Sequence, residues 1–191
     1  LIGKFLKEIP ENRIRSLIVG TKLAPFPWRL GRKGFKKAFK SSQKRLSNKL
    51  DRVQLHWSTY RYAPWQEGPL LDGLCDLIDE GVVKDIGVSN VGSKRLKWMH
   101  SRLLKRGIQL KSLQVQFSLL APQLLFNPEL TETCKELNIE ILAYSPLAFG
   151  LLAKGPSTSE RPATFLRKEI FKRISTRSQD LRKGVFEIAR D

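Results

Sequence analysis

The chain contains 191 residues, of which 41% are hydrophobic, and carries a formal net charge of +17 at pH 7. This composition excludes the disordered, collagen-like and disulfide-rich classes, and it predicts one domain over residues 1–191 with a sizeable core. No apolar run approaches the roughly 18 to 20 residues that cross a bilayer, so we expect a soluble protein without a membrane segment. Charged side chains interrupt the opening segment LIGKFLKEIP, which therefore does not resemble a secretory signal.

Short apolar segments alternate with longer segments of helical period from Leu17 onward, which is typical of βα units around a parallel sheet. The predicted strands cover residues 16–22, 53–57, 85–90, 112–117 and 140–145. The predicted helices cover residues 34–49, 68–81, 93–106 and 127–137. Gly81 and Gly107 stand at the ends of the second and third helices, where a left-handed glycine commonly terminates a helix. A long loop over 146–162 and a basic helical region over 164–189 are expected to follow.

The two cysteines, Cys75 and Cys134, lie far apart in apolar helical segments, without a CxxC pair or a nearby histidine. We expect reduced thiols in the core and no metal site.

A block of basic side chains between Arg29 and Lys49 contains no acidic residue, and the pI is about 10.2. Such a block is compatible with a module that binds nucleic acid or another anion. We favour the solvated face of an outer helix whose apolar face carries Phe35 and Phe39, because no recognition-helix motif accompanies the block. Nucleic acid is therefore not an expected partner, and the sequence leaves the role of the block open.

Polar side chains stand at the carboxyl ends of successive predicted strands. They are Lys22, His56, Ser89 with Asn90, Gln114, and Tyr144 with Ser145. A lysine at such a position is an electrostatic partner for a reacting group, and a histidine can donate a hydrogen bond to a carbonyl oxygen. Asparagine and glutamine amides can recognise another amide, and an aromatic ring can stack on a flat heterocycle. The set predicts a pocket for an amide-bearing ring beside a carbonyl, as nicotinamide-dependent reduction requires.

Five motifs carry a resemblance to a known family. They are LIVGTKLAPFPWR, LHWSTYRYAPW, DEGVVKDIGVSN, LQVQFSLLAP and ILAYSPLAFGLLAKG. In order and spacing they resemble the middle of an aldo-keto reductase, in the plant and cyanobacterial branch that includes chloroplast pyridoxal reductases. The resemblance implies an α/β fold, a (β/α)₈ barrel of TIM type, of which this chain would hold about five βα units. It also implies a small-molecule carbonyl substrate and NADP(H) as cofactor.

The same resemblance assigns roles to individual residues. Lys22 and His56 match catalytic positions, Lys22 as the lysine that lowers the pKa of a tyrosine and His56 as the residue that orients the carbonyl. The implied cofactor-binding residues are Ser89, Asn90 and Gln114 for the carboxamide, Tyr144 for ring stacking, and Ser145, Leu147 and Gly150 along the pyrophosphate. Trp28 and Trp57 are expected to line the substrate pocket. The loop beyond His56, which carries Tyr60 and Tyr62, is expected to line it with them.

The family's catalytic aspartate and tyrosine would precede this segment, and its last strand and adenosine-phosphate residues would follow it. We therefore expect little turnover from the chain as written. A barrel remnant without catalytic activity stays an alternative, as does a basic module for nucleic acid or another anion. Location in the cytoplasm or the chloroplast, the choice between NADPH and NADH, the substrate and the oligomeric state are not fixed by these residues.

Overall fold

The computed structural model describes residues 1–152, residue 172 and residues 179–188. The helices are α1 (Ile2–Glu8), α2 (Glu11–Ser16), α3 (Gly31–Arg45), α4 (Pro64–Asp79), α5 (Ser93–Leu104), α6 (Pro128–Glu136) and α7 (Gln179–Ile188), with a 3₁₀ turn at Ala148–Gly150. The strands are β1 (Gly20–Leu23), β2 (Arg52–Leu55), β3 (Asp85–Ser89), β4 (Leu110–Gln116) and β5 (Glu140–Tyr144). The chain divides into two compact units, one of Leu1–Val115 with Glu129–Leu142, the other of Gln116–Pro128 with the described residues from Ala143 onward.

The strands follow one another in sequence order, β1-β2-β3-β4-β5, in a single sheet. The β1–β2, β2–β3 and β3–β4 pairs are parallel, as a chain of βα crossovers requires. Within the described residues, the five predicted strands and their order are thus confirmed. Each crossover returns the chain to the same end of the sheet, so the carboxyl ends of the strands share one edge.

Most element boundaries differ from the sequence prediction by one to four residues, and two of the larger shifts have a local explanation. Strand β1 begins at Gly20 and not at residue 16, because the Val19 amide donates to the Asp51 carboxylate at 2.9 Å instead of entering the strand ladder. Helix α4 begins at Pro64 and not at residue 68. Pro64 occupies the first turn, where proline is favoured, and the internal Pro69 had concealed the start of the helix.

The core lies between the sheet and the helices in the first unit. Leu55, Ile86, Val88 and Leu113 are fully buried in the strands. Leucines of α4 cover them, with Leu96, Met99 and Leu103 of α5 buried as well. Each fully buried side chain of this size contributes about 1.5–3 kcal/mol, so the apolar faces of both the strands and the helices stabilise this core.

Helix α3 (Gly31–Arg45) carries most of the basic block and has the predicted apolar face. Phe35 and Phe39 are buried, whereas Lys33, Lys37 and Lys40 are exposed. Two further cations of this helix reach across to α4: Arg32 pairs with Asp76, and Lys36 pairs with Glu80. Part of the positive charge of this helix is therefore balanced at its contact with α4.

The helix-terminating glycines and the thiols also agree with prediction. Gly81 has φ +68° and Gly107 has φ +69°, the left-handed conformation expected after a helix. Cys75 and Cys134 are free and buried, and burial raises the pKa of each thiol to about 11. Both thiols are therefore protonated and unreactive at neutral pH.

The second unit contains the end of β5 and the turn that follows it. The Phe117 amide donates to the Tyr144 carbonyl at 3.3 Å, and the turn at Ala148–Gly150 falls in the segment predicted as a loop. Of the predicted basic helical region over 164–189, helix α7 covers Gln179–Ile188. Residues 153–171 and 173–178 lie outside the described part, as does most of the predicted loop.

None of the helices in the described ranges is both long and apolar enough to cross a membrane. Across those same ranges, no cluster of three or more His, Cys, Asp or Glu side chains is arranged to bind a metal ion.

Candidate active site

The polar strand ends of the first unit meet at one edge of the sheet. Lys22 pairs with Gln54 in the β1–β2 ladder, and the His56 amide donates to the Leu23 carbonyl at 3.1 Å. Ser89 pairs with Gln114 across β3 and β4. The structure therefore brings together the predicted residues Lys22, His56, Ser89, Asn90 and Gln114.

Ser89, Asn90 and Gln114 form a hydrogen-bonded cluster. The Ser89 hydroxyl donates to the backbone carbonyl of Gln114 at 2.8 Å, and the Asn90 backbone amide donates to the same oxygen at 3.0 Å. The Asn90 side-chain amide donates to the Ser89 hydroxyl at 3.1 Å. Asn90 has φ +56°, a conformation that asparagine tolerates better than most residues. This backbone turn leaves Asn90 exposed at the end of β3 while Ser89 is fully buried.

His56 and Lys22 supply the acid–base character of this edge. Burial lowers the pKa of His56, and the positive charge of Lys22 lowers it further. The imidazole is consequently neutral at physiological pH, with one N–H that can donate and one nitrogen that can accept. A neutral histidine beside a lysine suits a group that carries a partial negative charge.

A concave space of about 420 Å³ opens on the face of the sheet that carries Lys22. Gln54 and Gln114 contribute to its lining, together with Arg52 and Glu140 nearer the amino ends of their strands. Arg52 donates to Glu140 at 2.7 Å and to Asp85 at 3.3 Å, so its charge is fully paired. Lys22 and the side-chain amides of Gln54 and Gln114 are the polar groups toward the carboxyl ends of the strands.

Three residues of this inner face were not identified from the sequence. The Gln54 side-chain amide donates to the Ser112 hydroxyl at 3.1 Å, and Gly87 lies on the strand between them. A Cβ at Gly87 would approach Gln54 Cγ to 2.8 Å and the Ser112 hydroxyl more closely still. The glycine of the IGVSN motif is therefore required by packing. Its signal in the sequence was only the period-2 position it shares with Ser89.

An aromatic cluster flanks His56. Trp28 stacks on Phe26 with ring centroids 4.6 Å apart, and Trp57 meets Phe26 edge-on at 5.7 Å. The Trp57 indole donates to the Tyr62 hydroxyl at 2.8 Å, and that hydroxyl donates to the Pro25 carbonyl at 3.1 Å. Trp28 and Trp57 thus belong to one cluster, in which Trp28 is 74% exposed. Their role as lining of a substrate pocket stays a prediction. Phe26, which joins them, was missed because it lies in a proline-rich loop without periodicity.

A buried carboxylate, also missed, fixes the loop that follows His56. Glu67 of α4 is fully buried and accepts hydrogen bonds from the Ser58 hydroxyl and, at 3.0 Å, from the Thr59 amide. Its other oxygen pairs with Arg95 of α5. Glu67 therefore ties the segment after His56 to the helix that follows Asn90. A lone glutamate in the first turn of a helix gives no sequence signal for such a contact.

The remaining predicted residues lie in the second unit. Tyr144 ends β5, and Ser145 follows with φ +55°. The Gly150 amide donates to the Leu147 carbonyl at 2.9 Å, and Gly150 has φ +92°. The roles of Tyr144, Ser145, Leu147 and Gly150 stay predictions.

Comparisons with known proteins bear on this arrangement. The chain is 41% identical over 196 residues to the chloroplastic pyridoxal reductase of Arabidopsis thaliana, an alignment that covers 100% of this chain and 52% of the relative. It spans about half the length of that curated protein.

Two solved structures also resemble this chain in fold. An aldo/keto reductase from Brucella melitensis matches with a TM-score of 0.62 and 24% identity, over 80% of this chain and 56% of the other. A mutant of Gox0644 in complex with NADPH matches with a TM-score of 0.62 and 25% identity, over 81% of this chain and 52% of the other.

These structures confirm the predicted fold class, α/β with the parallel sheet of a (β/α)₈ barrel, and the part of the chain that the structure describes contains five of its strands. The model of the aldo/keto reductase family matches residues 1–191. The chain therefore belongs to the aldo/keto reductase family.

Proposed function

We propose that this chain serves in the NADPH-dependent reduction of an aldehyde or ketone to an alcohol, as part of one reductase domain that includes residues 1–191. The observation that carries the proposal is the meeting of Lys22, His56, Ser89, Asn90 and Gln114 at one edge of the sheet. Barrel enzymes place their catalytic groups at that edge. The sequence match to a named reductase and the likeness to an NADPH complex support the same activity.

The donor set fits a nicotinamide. The side-chain amides of Asn90 and Gln114 combine donors and acceptors, which is the complement of a carboxamide. Buried Ser89 accepts from the Asn90 amide and so helps to orient it. Tyr144 would supply a ring for stacking, and the backbone turns at Ser145, Leu147 and Gly150 would suit a pyrophosphate. NADPH, when bound, supplies the hydride for the reduction.

The residues of the chain would act on the carbonyl oxygen. His56, held neutral by burial and by the charge of Lys22, donates an N–H hydrogen bond that orients the oxygen. The Lys22 ammonium stabilises negative charge that develops on that oxygen. It also lowers the pKa of the family's catalytic tyrosine, whose hydroxyl delivers the proton. Removal of either group is expected to raise the barrier and leave the fold intact.

The substrate we propose is an aromatic aldehyde of the pyridoxal type. The curated relative is named for pyridoxal, and the rings of Phe26, Trp28 and Trp57 suit a flat heterocycle beside His56. Because that relative is described as chloroplastic, we also propose a chloroplast location. Imaging of the full-length natural protein fused to a fluorescent protein would test the location.

NADPH binding to the purified chain, followed by quenching of tryptophan fluorescence, tests the proposal. Asn90→Ala should weaken binding by about tenfold, since a hydrogen-bonded amide contributes roughly 1.4 kcal/mol. Asn138→Ala is the matched control, because Asn138 is also exposed and left-handed, with φ +53°, but lies after α6 at the opposite end of the sheet. Its affinity should stay within about twofold of the original chain.

The titration should be repeated at moderate salt, because a chain of net charge +17 attracts any phosphate at low ionic strength. Saturable binding that persists in salt and separates the two variants supports the proposal. A folded chain that binds no NADPH, or equal losses in the two variants, would refute it. Loss of NADPH absorbance on addition of pyridoxal to the full-length natural protein then tests turnover, and His56→Gln in that protein should be much slower.

A further inference from the structure

A groove of about 700 Å³ lies beside the candidate active site, between the loop after β2 and the start of α5. Three aromatic rings line it, those of Trp57, Tyr60 and Trp98. Tyr60 is 59% exposed and Trp98 is 37% exposed, so their rings face the open space. Exposed aromatic surface gathered in one concavity is unusual on a globular protein and marks a binding site.

Three cations line the same groove: Arg61, Lys94 and Arg95. The guanidinium of Arg95 lies between the rings of Trp98 and Tyr60, at 3.8 Å and 4.5 Å from their centroids. Buried Glu67 balances the charge of Arg95. Arg61 and Lys94 have no ion pair within the described ranges, so the groove keeps two uncompensated positive charges.

The start of α5 adds hydrogen-bond donors. Gly92 precedes the helix without a side-chain cap, and the first turn contains no acidic residue. The first intrahelical bond of this turn runs from the Leu96 amide to the Gly92 carbonyl at 2.9 Å, so the amides before Leu96 are not used by the helix ladder. The Ser93 hydroxyl donates to the Glu129 carboxylate at 2.6 Å, so a negative charge already lies near this helix end. Lys94 and Arg61 are therefore the groups of the groove that would attract an anion.

Glu67 gives this surface its rigidity. It holds Ser58 and Thr59 on one wall and Arg95 on the other, from a fully buried position. A groove whose walls share one buried ion pair is preformed, which reduces the ordering cost of binding.

We propose that this groove binds an aromatic compound that carries one phosphate or carboxylate group. The ring stacks among Trp57, Tyr60 and Trp98, and the anionic group lies at the start of α5 beside Lys94 and Arg61. Neither part suffices alone, because the rings offer no anion recognition and two exposed cations bind a free anion weakly. The inference stands on the groove itself and does not depend on the proposed reduction, although Asn90 and Trp57 border both sites.

Isothermal titration calorimetry of the whole chain with naphthyl phosphate tests the proposal, with naphthol and inorganic phosphate as the two partial ligands. Naphthyl phosphate should bind at one site, at least about tenfold more tightly than either partial ligand. The double variant Arg61→Gln, Lys94→Gln should weaken that binding by about tenfold, and Trp98→Leu should weaken it by a similar factor. Lys105→Gln is the matched control, because Lys105 is an exposed cation at the other end of α5.

Circular dichroism of each variant establishes that it is folded, and NADPH affinity measured on the same samples separates this groove from the proposed cofactor site. Unchanged naphthyl phosphate affinity in the double variant would overturn the proposal. So would equal losses in the double variant and in Lys105→Gln, which would indicate general attraction to a basic protein. Inorganic phosphate that binds as tightly as naphthyl phosphate would show that the rings take no part, and it would overturn the proposal as well.

Discussion

Substitution of Gly87 by alanine tests whether the inner face of the sheet is packed as described. Gly87 of β3 lies opposite Gln54 of β2 and Ser112 of β4 in the strand ladders. An added Cβ would lie 2.8 Å from Gln54 Cγ and 2.9 Å from its side-chain nitrogen, and it would be closer still to the Ser112 hydroxyl. Both neighbours are buried and bonded to each other at 3.1 Å. Neither can move aside without breaking that bond.

Two opposed contributions determine the size of the effect. Overpacking costs about 1–3 kcal/mol, and an unpaired buried polar group costs a further 1–3 kcal/mol or so. Replacement of glycine by alanine restricts the unfolded chain and returns roughly 0.4–1 kcal/mol. We therefore expect Gly87→Ala to lower the free energy of unfolding by about 2–4 kcal/mol and the melting temperature by about 5–15 °C.

Urea unfolding followed by far-UV circular dichroism measures this loss, with Gly20→Ala as the matched control. Gly20 also lies in a strand of the sheet, but its added Cβ would meet nothing closer than 3.7 Å. In a Ser112→Ala background the Gly87→Ala substitution should cost less, because the closest atom has been removed. The packing argument is refuted if Gly87→Ala is as stable as Gly20→Ala, or if its cost is the same with and without Ser112.

Three further changes follow from buried or paired charges. Glu67→Gln should cost about 3 kcal/mol in urea unfolding, because it leaves the Arg95 guanidinium without its buried partner. Stability should fall as the pH is lowered below about 6.5, because burial lowers the pKa of His56 and of His100 and the unfolded chain then binds protons that the folded chain does not. The urea midpoint in a pH series measures this, and His100→Gln should flatten the slope. Asp76→Asn should cost about 1 kcal/mol at neutral pH. The hydrogen bond from Arg32 lowers the pKa of Asp76. The difference in stability between the original chain and Asp76→Asn should therefore vanish as the pH falls through that lowered value.

Controls distinguish these effects from general sensitivity. Glu136→Gln removes an exposed carboxylate 3.5 Å from Lys97 and should cost no more than about 0.5 kcal/mol. If Glu67→Gln cost no more than Glu136→Gln, the buried ion pair between Glu67 and Arg95 would not stabilise the fold as argued. A midpoint that rises between pH 7 and pH 5.5 would contradict the histidine argument. For Asp76, a difference that grows with added salt would exclude an ion pair as its origin.

The helices and strands of the sheet followed from local pattern. Periodicity of apolar residues placed all five strands and the helices between them, and it placed Lys22, His56, Asn90 and Gln114 near the carboxyl ends of their strands. That edge is shared by geometry in any parallel sheet, so the sequence alone could predict that these side chains would lie close together. The helices α1 and α2 were missed, because neither shows the long apolar stripe on which the prediction relied.

Only the tertiary structure decided which side chains touch across the sheet and between helices. Gln54 and Ser112 are 58 positions apart, and nothing in either neighbourhood indicates that Gly87 must leave room for their hydrogen bond. Glu67 and Arg95 give no local sign of pairing, and Arg32 finds Asp76 through the packing of α3 on α4. The sequence by itself determined the fold class and the edge that carries the site, because both depend on period and order. The contacts depend on register and side-chain packing, which exist only after the strands and helices have assembled.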